Sequence, residues 1–234
     1  MKFGIVVFPG SHGATDCYYA LEQVLKEAVT YLWHAEEDLQ GVDCVIIPGG
    51  YAYGNYLRPG SIARFSPIMK QVIAFGKQGG LILGLCNGFQ ILTEAGLLPG
   101  ALIRNSSLRF QCQNTYLRVE QTQTPFTNLC TEKEIVKMPI AHAEGCFVVA
   151  KETLESLEKE SRIVLRYCDE QGEITPESNP NGSLNNIAGI INEQGNILGM
   201  MSRPERCVEA ILGGVDGKKL FSSLVEWWQG GAER

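Results

Sequence analysis

The stretch of sequence that decides the fold is Leu81-Ile-Leu-Gly84-Leu-Cys86-Asn-Gly88-Phe-Gln90. Its first half is an unbroken apolar run, which is typical of a strand that is covered on both faces. A helix is predicted to follow at once, from Asn87 to Ala95. A cysteine with a glycine two positions before it and two after it, set between a strand and a helix, matches the nucleophile-elbow pattern. We therefore predict that Cys86 is a catalytic nucleophile.

Strands and helices alternate through the rest of the first hundred residues. Strands are predicted at residues 3–8, 30–33, 44–47 and 81–85. Helices are predicted from Thr15 and from Ser66-Pro67, where serine suits the N-cap and proline the first turn. This alternation predicts right-handed βαβ units and a parallel sheet, with ligands bound beyond the carboxyl ends of the strands.

The second half of the chain reads as strands joined by short loops. They are predicted at residues 116–120, 135–140, 147–150 and 162–167, followed by a hairpin of 187–191 with 197–201 and a final amphipathic helix. Residues 172–186 are rich in Asn and Pro and are interpreted as a long surface loop. We predict a single α/β domain over residues 1–234, with a flavodoxin-like, mostly parallel central sheet, flanking helices and an added antiparallel portion.

Composition excludes several function classes. The chain has 20 basic and 26 acidic residues, a net charge of −6, which argues against nucleic acid or an anionic membrane as the main partner. The N-terminus shows no secretory segment, and no apolar run is long enough to span a bilayer. Eight cysteines are scattered without a CxxC pair, so we expect reduced thiols, a cytoplasmic location and no metal site.

The turn around Cys86 is predicted to form an oxyanion site as well as a nucleophile. The Asn87 N–H at the start of the helix points to where an oxyanion would form, and the Gly50 N–H at the end of the neighbouring strand is a second candidate donor. Gln90 lies one helical turn beyond Cys86. It either contacts the substrate or serves as a helix-packing amide.

Gly84-Leu-Cys86-Asn-Gly88-Phe-Gln90 resembles the nucleophile motif of class I, triad-type glutamine amidotransferases. Further stretches resemble one branch of that family, the glutaminase subunits of phosphoribosylformylglycinamidine synthase. In chain order they include Phe8-Pro-Gly-Ser11, Pro48-Gly-Gly-Tyr51-Ala-Tyr53-Gly54, Leu97-Leu-Pro-Gly100, Ser107-Leu-Arg109-Phe110, Pro139-Ile-Ala-His142-Ala-Glu144-Gly145 and Asn179-Pro-Asn-Gly-Ser183. The resemblance covers almost the whole chain and implies the class I glutamine amidotransferase fold.

The resemblance also implies an activity and a set of partners. Such a subunit hydrolyses glutamine to glutamate and ammonia, through a cysteinyl thioester, and passes the ammonia to a separate synthetase subunit in de novo purine synthesis. ATP and magnesium are expected on that synthetase, with no cofactor in this chain, and a small third subunit helps to assemble the complex. The catalytic groups are a cysteine, a histidine and a glutamate, the last two in a His-Pro-Glu-Arg motif.

This sequence departs from the family at the histidine. The matching stretch reads Ser202-Arg203-Pro204-Glu205-Arg206, with arginine where the family has its catalytic histidine. Imidazole can take up and release protons near neutral pH, whereas guanidinium stays charged. We therefore predict that Arg203 pairs with Glu205 and impairs turnover. We also expect that Arg203 and the elbow favour the Cys86 thiolate, so that Cys86 alkylates readily.

Three histidines are present, and none is predicted to replace the missing one. His12 follows the first strand, at the same sheet edge as Cys86, and is interpreted as a loop residue. His34 follows the second strand and is interpreted as structural or exposed. His142 belongs to a segment that the family has beside its catalytic histidine, so we expect a role facing a partner or at the rim of the site.

Three alternative functions compete with this one. A different cysteine hydrolase on a similar sheet would share the elbow, but not the ordered set of other motifs. A catalytically degenerate scaffold or regulatory subunit of the same complex is favoured by Arg203. A dinucleotide-binding domain is disfavoured, because the first glycine-rich turn, Phe8-Pro-Gly-Ser-His-Gly13, lacks the G-x-G-x-x-G spacing.

Overall fold

The computed structural model describes residues 1–232. The strands are β1 Lys2–Val7, β2 Ala28–Trp33, β3 Cys44–Ile47, β4 Leu81–Leu85, β5 Ala101–Ile103, β6 Gln111–Val119, β7 Ile135–His142, β8 Cys146–Val148, β9 Ile163–Cys168, β10 Ile187–Ile191 and β11 Ile197–Met200. The α-helices are α1 Gly13–Tyr18, α2 Pro67–Lys77, α3 Asn87–Glu94, α4 Lys151–Lys159 and α5 Asp216–Ala232.

Nine of these strands form one sheet, in the order β2-β1-β3-β4-β11-β10-β9-β6-β7. The pairings from β2 to β11 are parallel, and those from β11 to β7 are antiparallel. Strands β5 and β8 form a separate antiparallel pair. The predicted α/β fold with an added antiparallel portion is confirmed, and so is the hairpin of β10 and β11.

Alternate residues of the central strands face two separate hydrophobic layers. In β3, Cys44 and Ile46 pack with α1 and α5, whereas Val45 and Ile47 pack with α2 and α3. All four are fully buried, which explains why the strand reads as an unbroken apolar run. Each fully buried aliphatic side chain contributes roughly 1.5–3 kcal/mol to stability.

The parallel strands bring the candidate site together at one edge. Because β1, β3, β4 and β11 run in the same direction, the turns that follow them all lie at the carboxyl edge of the sheet. Cys86 follows the central strand β4 directly, and its N–H donates to the Met200 carbonyl of β11 at 2.8 Å. The position predicted for a ligand site is therefore occupied by Cys86 and its neighbours.

The elbow depends on two glycines that let α3 approach the sheet closely. A Cβ on Gly88 would overlap the Ile47 carbonyl oxygen of β3. A Cβ on Gly84 would lie 2.9 Å from the Gly88 backbone and would clash with Leu92. Larger residues at either position would push the helix away from the strands that carry the site.

Several local predictions need correction. The first helix begins at Gly13 rather than Thr15 and continues as a π-helix over Tyr19–Val24. Ser66 occupies the N-cap of α2, but its hydroxyl bonds to the Tyr53 hydroxyl, 2.9 Å away, instead of capping the helix.

The segment 172–186 is not a simple surface loop. Asn181, Ser183 and Asn186 are buried, because their side chains bond to backbone groups of neighbouring segments. Helix α4 is absent from the elements that the sequence predicts. It buries only Leu157, so it carries little apolar periodicity.

Replacing Gly88 with alanine should destabilise the protein. The added methyl group would overlap a backbone oxygen, which cannot move as a side chain can, so we expect a loss of about 3 kcal/mol or more in urea unfolding. Gly230→Ala in α5 is the control, because a Cβ there meets nothing within 4 Å and should be neutral or stabilising. A Gly88→Ala protein as stable as the parent would contradict the close approach of α3.

Candidate active site

Cys86 occupies the strained backbone conformation of a nucleophile elbow. Its φ and ψ are 52° and −104°, outside the regions that L-residues favour. Its carbonyl accepts the N–H groups of Phe89 at 3.1 Å and Gln90 at 3.3 Å, so the strain is held by the first turn of α3. Backbone strain of this kind is concentrated at functional sites, because the surrounding structure must stabilise it.

The sulfur of Cys86 is enclosed rather than open to solvent. The residue is 5% exposed, and its Sγ–H donates to the Ala141 carbonyl at 3.7 Å. Burial raises the pKa of the thiol above its ordinary value, and the Glu205 carboxylate raises it further. The Arg203 charge and the Asn87 N–H lower the pKa without reversing the shift. The expectation of a stabilised thiolate is therefore wrong, since desolvation outweighs the positive charges.

Arg203 is buried with its guanidinium against the turn that follows β3. It is 2% exposed, and its Nε donates to Glu205 Oε1 at 2.7 Å. A Cβ on Gly49 would lie 2.9 Å from Arg203 Cζ, and one on Gly13 would lie 2.6 Å from Nη2. Burial lowers the pKa of the guanidinium, but the charge and hydrogen bond of Glu205, together with Cys86 and Cys17, more than offset this effect, so the pKa lies above its ordinary value. Arg203 stays a cation and transfers no proton.

The Arg203–Glu205 pair extends into a larger network of charges. Asp16 on α1 accepts a hydrogen bond from Arg206 Nε at 2.9 Å and lies 3.8 Å from Arg203 Nη2. Arg203 Nη2 and Glu205 Oε2 are buried without a hydrogen-bond partner among residues 1–232. Sequence reasoning does not identify Asp16, because it lies 190 residues from Arg206 and belongs to no recognisable local motif.

Two backbone N–H groups are available near Cys86. Gly50 has a φ of 141°, which favours glycine, and its N–H donates no hydrogen bond within residues 1–232. The Asn87 N–H, at the start of α3, lowers the pKa of the Cys86 thiol. These placements are compatible with the predicted oxyanion donors, which remain a prediction.

Gln90 and Asn87 join two neighbouring segments to helix α3. The Gln90 Nε2 donates to the Glu144 carbonyl at 2.6 Å, and its Oε1 accepts from Asn87 Nδ2 at 2.8 Å. The Asn87 side chain also accepts from the Ala52 N–H at 2.9 Å and donates to Asn55 at 3.1 Å. In this structure Gln90 makes the contacts expected of a packing amide. Its contact with the substrate stays a prediction.

The three histidines lie in different environments. His12 is exposed at the N-cap of α1, and its ring lies 5.7 Å from that of Tyr51. His34 accepts or donates a hydrogen bond with the Tyr53 hydroxyl at 2.7 Å, which agrees with a structural role.

His142 is buried, which contradicts a role facing a partner; the alternative role at the rim of the site stays a prediction. It is 4% exposed, its Nδ1 lies 3.2 Å from Asn105 Oδ1, and its Nε2 has no partner among residues 1–232. Burial lowers the pKa of its imidazole to about 4. The ring is therefore neutral at physiological pH.

Four well-formed cavities have linings that do not include Cys86. One, of about 720 Å³, lies between α4, the end of α2 and the β10–β11 turn. A second, of about 610 Å³, is lined by Glu205, Arg206 and Asp16. Within residues 1–232 no cluster of three or more His, Cys, Asp or Glu side chains could hold a metal ion, and no helix is long and apolar enough to cross a membrane.

The family described as the CobB/CobQ-like glutamine amidotransferase domain matches residues 1–228 of this chain. The chain belongs to this glutamine amidotransferase family. It is 57% identical over 231 residues to phosphoribosylformylglycinamidine synthase subunit PurQ of Moorella thermoacetica, with 99% of this chain and 98% of the relative covered. It is 51% identical to the subunit of the same name from Salinibacter ruber, with 96% and 95% covered.

Solved structures agree with this assignment. The structure of PurLQS from Thermotoga maritima has a TM-score of 0.86 and 40% identity, and the match covers 97% of this chain and 98% of that one. The glutaminase domain of Trypanosoma brucei CTPS with bound acivicin has a TM-score of 0.57 at 12% identity, which shows a shared fold alone. The resemblance to glutaminase subunits of phosphoribosylformylglycinamidine synthase is confirmed.

The raised pKa of Cys86 predicts how this glutamine amidotransferase reacts with iodoacetamide. Labelling of Cys86, followed by peptide mass spectrometry, should accelerate up to at least pH 9, because only the thiolate reacts. Arg203→Met should slow the labelling at pH 8 by about tenfold, since it removes the main positive charge near the sulfur.

Arg206→Met is the matched control for this labelling experiment. Arg206 also lowers the pKa of Cys86, but it contributes less than Arg203, so its replacement should have a smaller effect. An unchanged or faster reaction in Arg203→Met would contradict the proposed influence of Arg203 on the sulfur.

Proposed function

We propose that this glutaminase subunit binds glutamine at Cys86 and hydrolyses it slowly, because Arg203 takes the place of a proton-transferring group. The observation that carries the proposal is the 2.7 Å pair of Arg203 Nε with Glu205 beside an otherwise complete nucleophile elbow. Cys86 would attack the carboxamide carbon of glutamine. The N–H groups of Gly50 and Asn87 would stabilise the oxyanion.

The slow steps are those that move protons. Release of ammonia needs a proton on the departing nitrogen, and hydrolysis of the resulting thioester needs a base that activates water. A cation whose pKa lies above the ordinary value for arginine can do neither. Glu205 Oε1 accepts a hydrogen bond from Arg203 Nε. The carboxylate is therefore paired with a group that transfers no proton, so it cannot assist proton transfer through that group.

The ammonia is proposed to pass to a synthetase subunit, and a small third subunit to join the complex. The similar Thermotoga maritima structure is one of PurLQS, and a name that joins L, Q and S supports a complex of this kind. ATP and magnesium would be bound by the synthetase, in the cytoplasm, and this chain would need no cofactor of its own.

A second candidate function is that of a scaffold subunit with no glutaminase activity. The buried ion pair favours it, because Arg203 Nε and Glu205 Oε1 are bonded to one another without any substrate present. In that case the chain would support assembly of the complex, and the synthetase would use free ammonia.

Arg203→His tests the two candidates against each other. Glutamate release should be measured with the synthetase and the third subunit present, for the parent chain and for the variant. We expect the variant to be faster by about 10²–10⁴-fold, the contribution of one general acid–base group. Arg203→Met should bring no such gain, because it removes the charge without supplying an imidazole.

Equal and rapid glutamate release by the parent chain and by Arg203→His would contradict impaired turnover. Undetectable release by the parent chain, together with normal synthesis from added ammonium, would favour the scaffold. In every arm Cys86→Ser shows the background that does not depend on the nucleophile.

A further inference from the structure

Two leucines near Cys86 project into solvent from a strained backbone. Leu57 has a φ of 66° and is 90% exposed, and Leu108 has a φ of 57° and is 74% exposed. Left-handed backbone crowds the Cβ of a leucine, and glycine or asparagine relieves the strain. Neither side chain is buried, so packing within this chain does not account for a leucine at either position.

Leu57 lies on a segment that runs along helix α3. At one end of this segment, Asn55 accepts from Asn87 Nδ2 at 3.1 Å. At the other end, Arg58 forms a double hydrogen bond with Glu94, with distances of 2.6 and 2.8 Å. The position of Leu57 is thus fixed relative to the helix that begins at Cys86.

Leu108 is connected to the same helix through a second set of hydrogen bonds. Its N–H donates to the Asn105 carbonyl at 2.8 Å, and the Asn105 amide bonds to the His142 carbonyl and the Gly145 N–H, both at 2.9 Å. The same turn carries the Glu144 carbonyl, which accepts from Gln90 on α3. Leu57 therefore lies on a segment that is hydrogen-bonded directly to the first turn of α3. Leu108 lies on a loop that is linked to the same turn of α3 through residues 142–145.

The surroundings of the two leucines are apolar and basic. Tyr56 and Phe110 are exposed next to them in the sequence. Arg104 and Arg109 are exposed and pair with no carboxylate among residues 1–232. We call Leu57, Leu108, Tyr56, Phe110, Arg104 and Arg109 the leucine face. Because the whole chain has a net charge of −6, a basic and apolar face is a local exception.

We propose that the leucine face is the surface that docks onto the synthetase subunit. Leu57 and Leu108 would enter apolar pockets rimmed by carboxylates, which complement the arginines. The inference rests on the proposed function, in which ammonia formed at Cys86 must reach the synthetase without escaping to solvent. A partner seated on both loops would cover the region between them, where α3 begins.

Another exposed aliphatic residue, Ile211, provides the comparison. Ile211 is as exposed as Leu57, at 90%, but its backbone is not in the left-handed region. It precedes α5, which packs on the face of the sheet opposite to α3. If the chain docks through the leucine face, Ile211 should contribute little to the affinity for the synthetase.

The test is the affinity of the purified synthetase for the full chain with Leu57→Asn, Leu108→Asn, or both. Asparagine tolerates the left-handed backbone, so the thermal midpoint of the free chain should stay equal or rise. We expect the Kd to increase about tenfold for each substitution and about 100-fold for both. Ile211→Asn, the matched control, should leave the Kd unchanged.

Each other outcome overturns a defined part of the proposal. If the parent chain binds the synthetase and the double variant binds equally well, the leucine face is not the docking surface. The same conclusion follows if the double variant loses only the third subunit, or only an association of the chain with itself. If the parent chain does not bind the synthetase at all, the proposed complex fails, and the docking surface fails with it.

Discussion

The close contact of helix α3 with strands β3 and β4 is the constraint on which the site depends. Gly88 sits so near the Ile47 carbonyl that no side chain fits between them, and Gly84 lies against Gly88 in the same way. This contact forces the chain to reverse within one residue, which places Cys86 at a φ of 52°. The position and backbone conformation of the nucleophile are therefore set by helix–sheet packing.

The same packing that positions Cys86 also makes its thiol harder to ionise. Enclosure raises the pKa of the thiol, and a neighbouring cation only partly compensates. In a proton-transferring triad this is no obstacle, because a base removes the proton as the bond forms. With Arg203 in that place, the cost of ionising a buried sulfur is not removed by any group that titrates near neutral pH. The two features together would slow the proposed hydrolysis of glutamine more than either one alone.

Much of the fold and of the candidate site could be predicted from short stretches of sequence. The elbow around Cys86 and the parallel strands depend on local patterns, so residue type and spacing were sufficient. The departure from the family at Arg203 stays a prediction. The burial of polar residues could not be predicted in this way. The polar segment 172–186 has the composition of a surface loop, yet Asn181 is fully buried, and its amide bonds to the Gly145 backbone. Likewise, the pKa of Cys86 depends mainly on desolvation by the folded chain. A prediction from the nearby charges alone gave the wrong direction for this pKa shift.

The pH dependence of glutamate release by the parent chain, in complex with the synthetase, tests the central claim most directly. If no group near Cys86 exchanges protons around neutrality, the residual kcat/KM should rise about tenfold per pH unit from pH 6 to 9 without a plateau, following the thiolate fraction. A bell-shaped profile or a plateau centred near pH 7 would contradict impaired proton transfer, because it would reveal a working acid–base group despite Arg203.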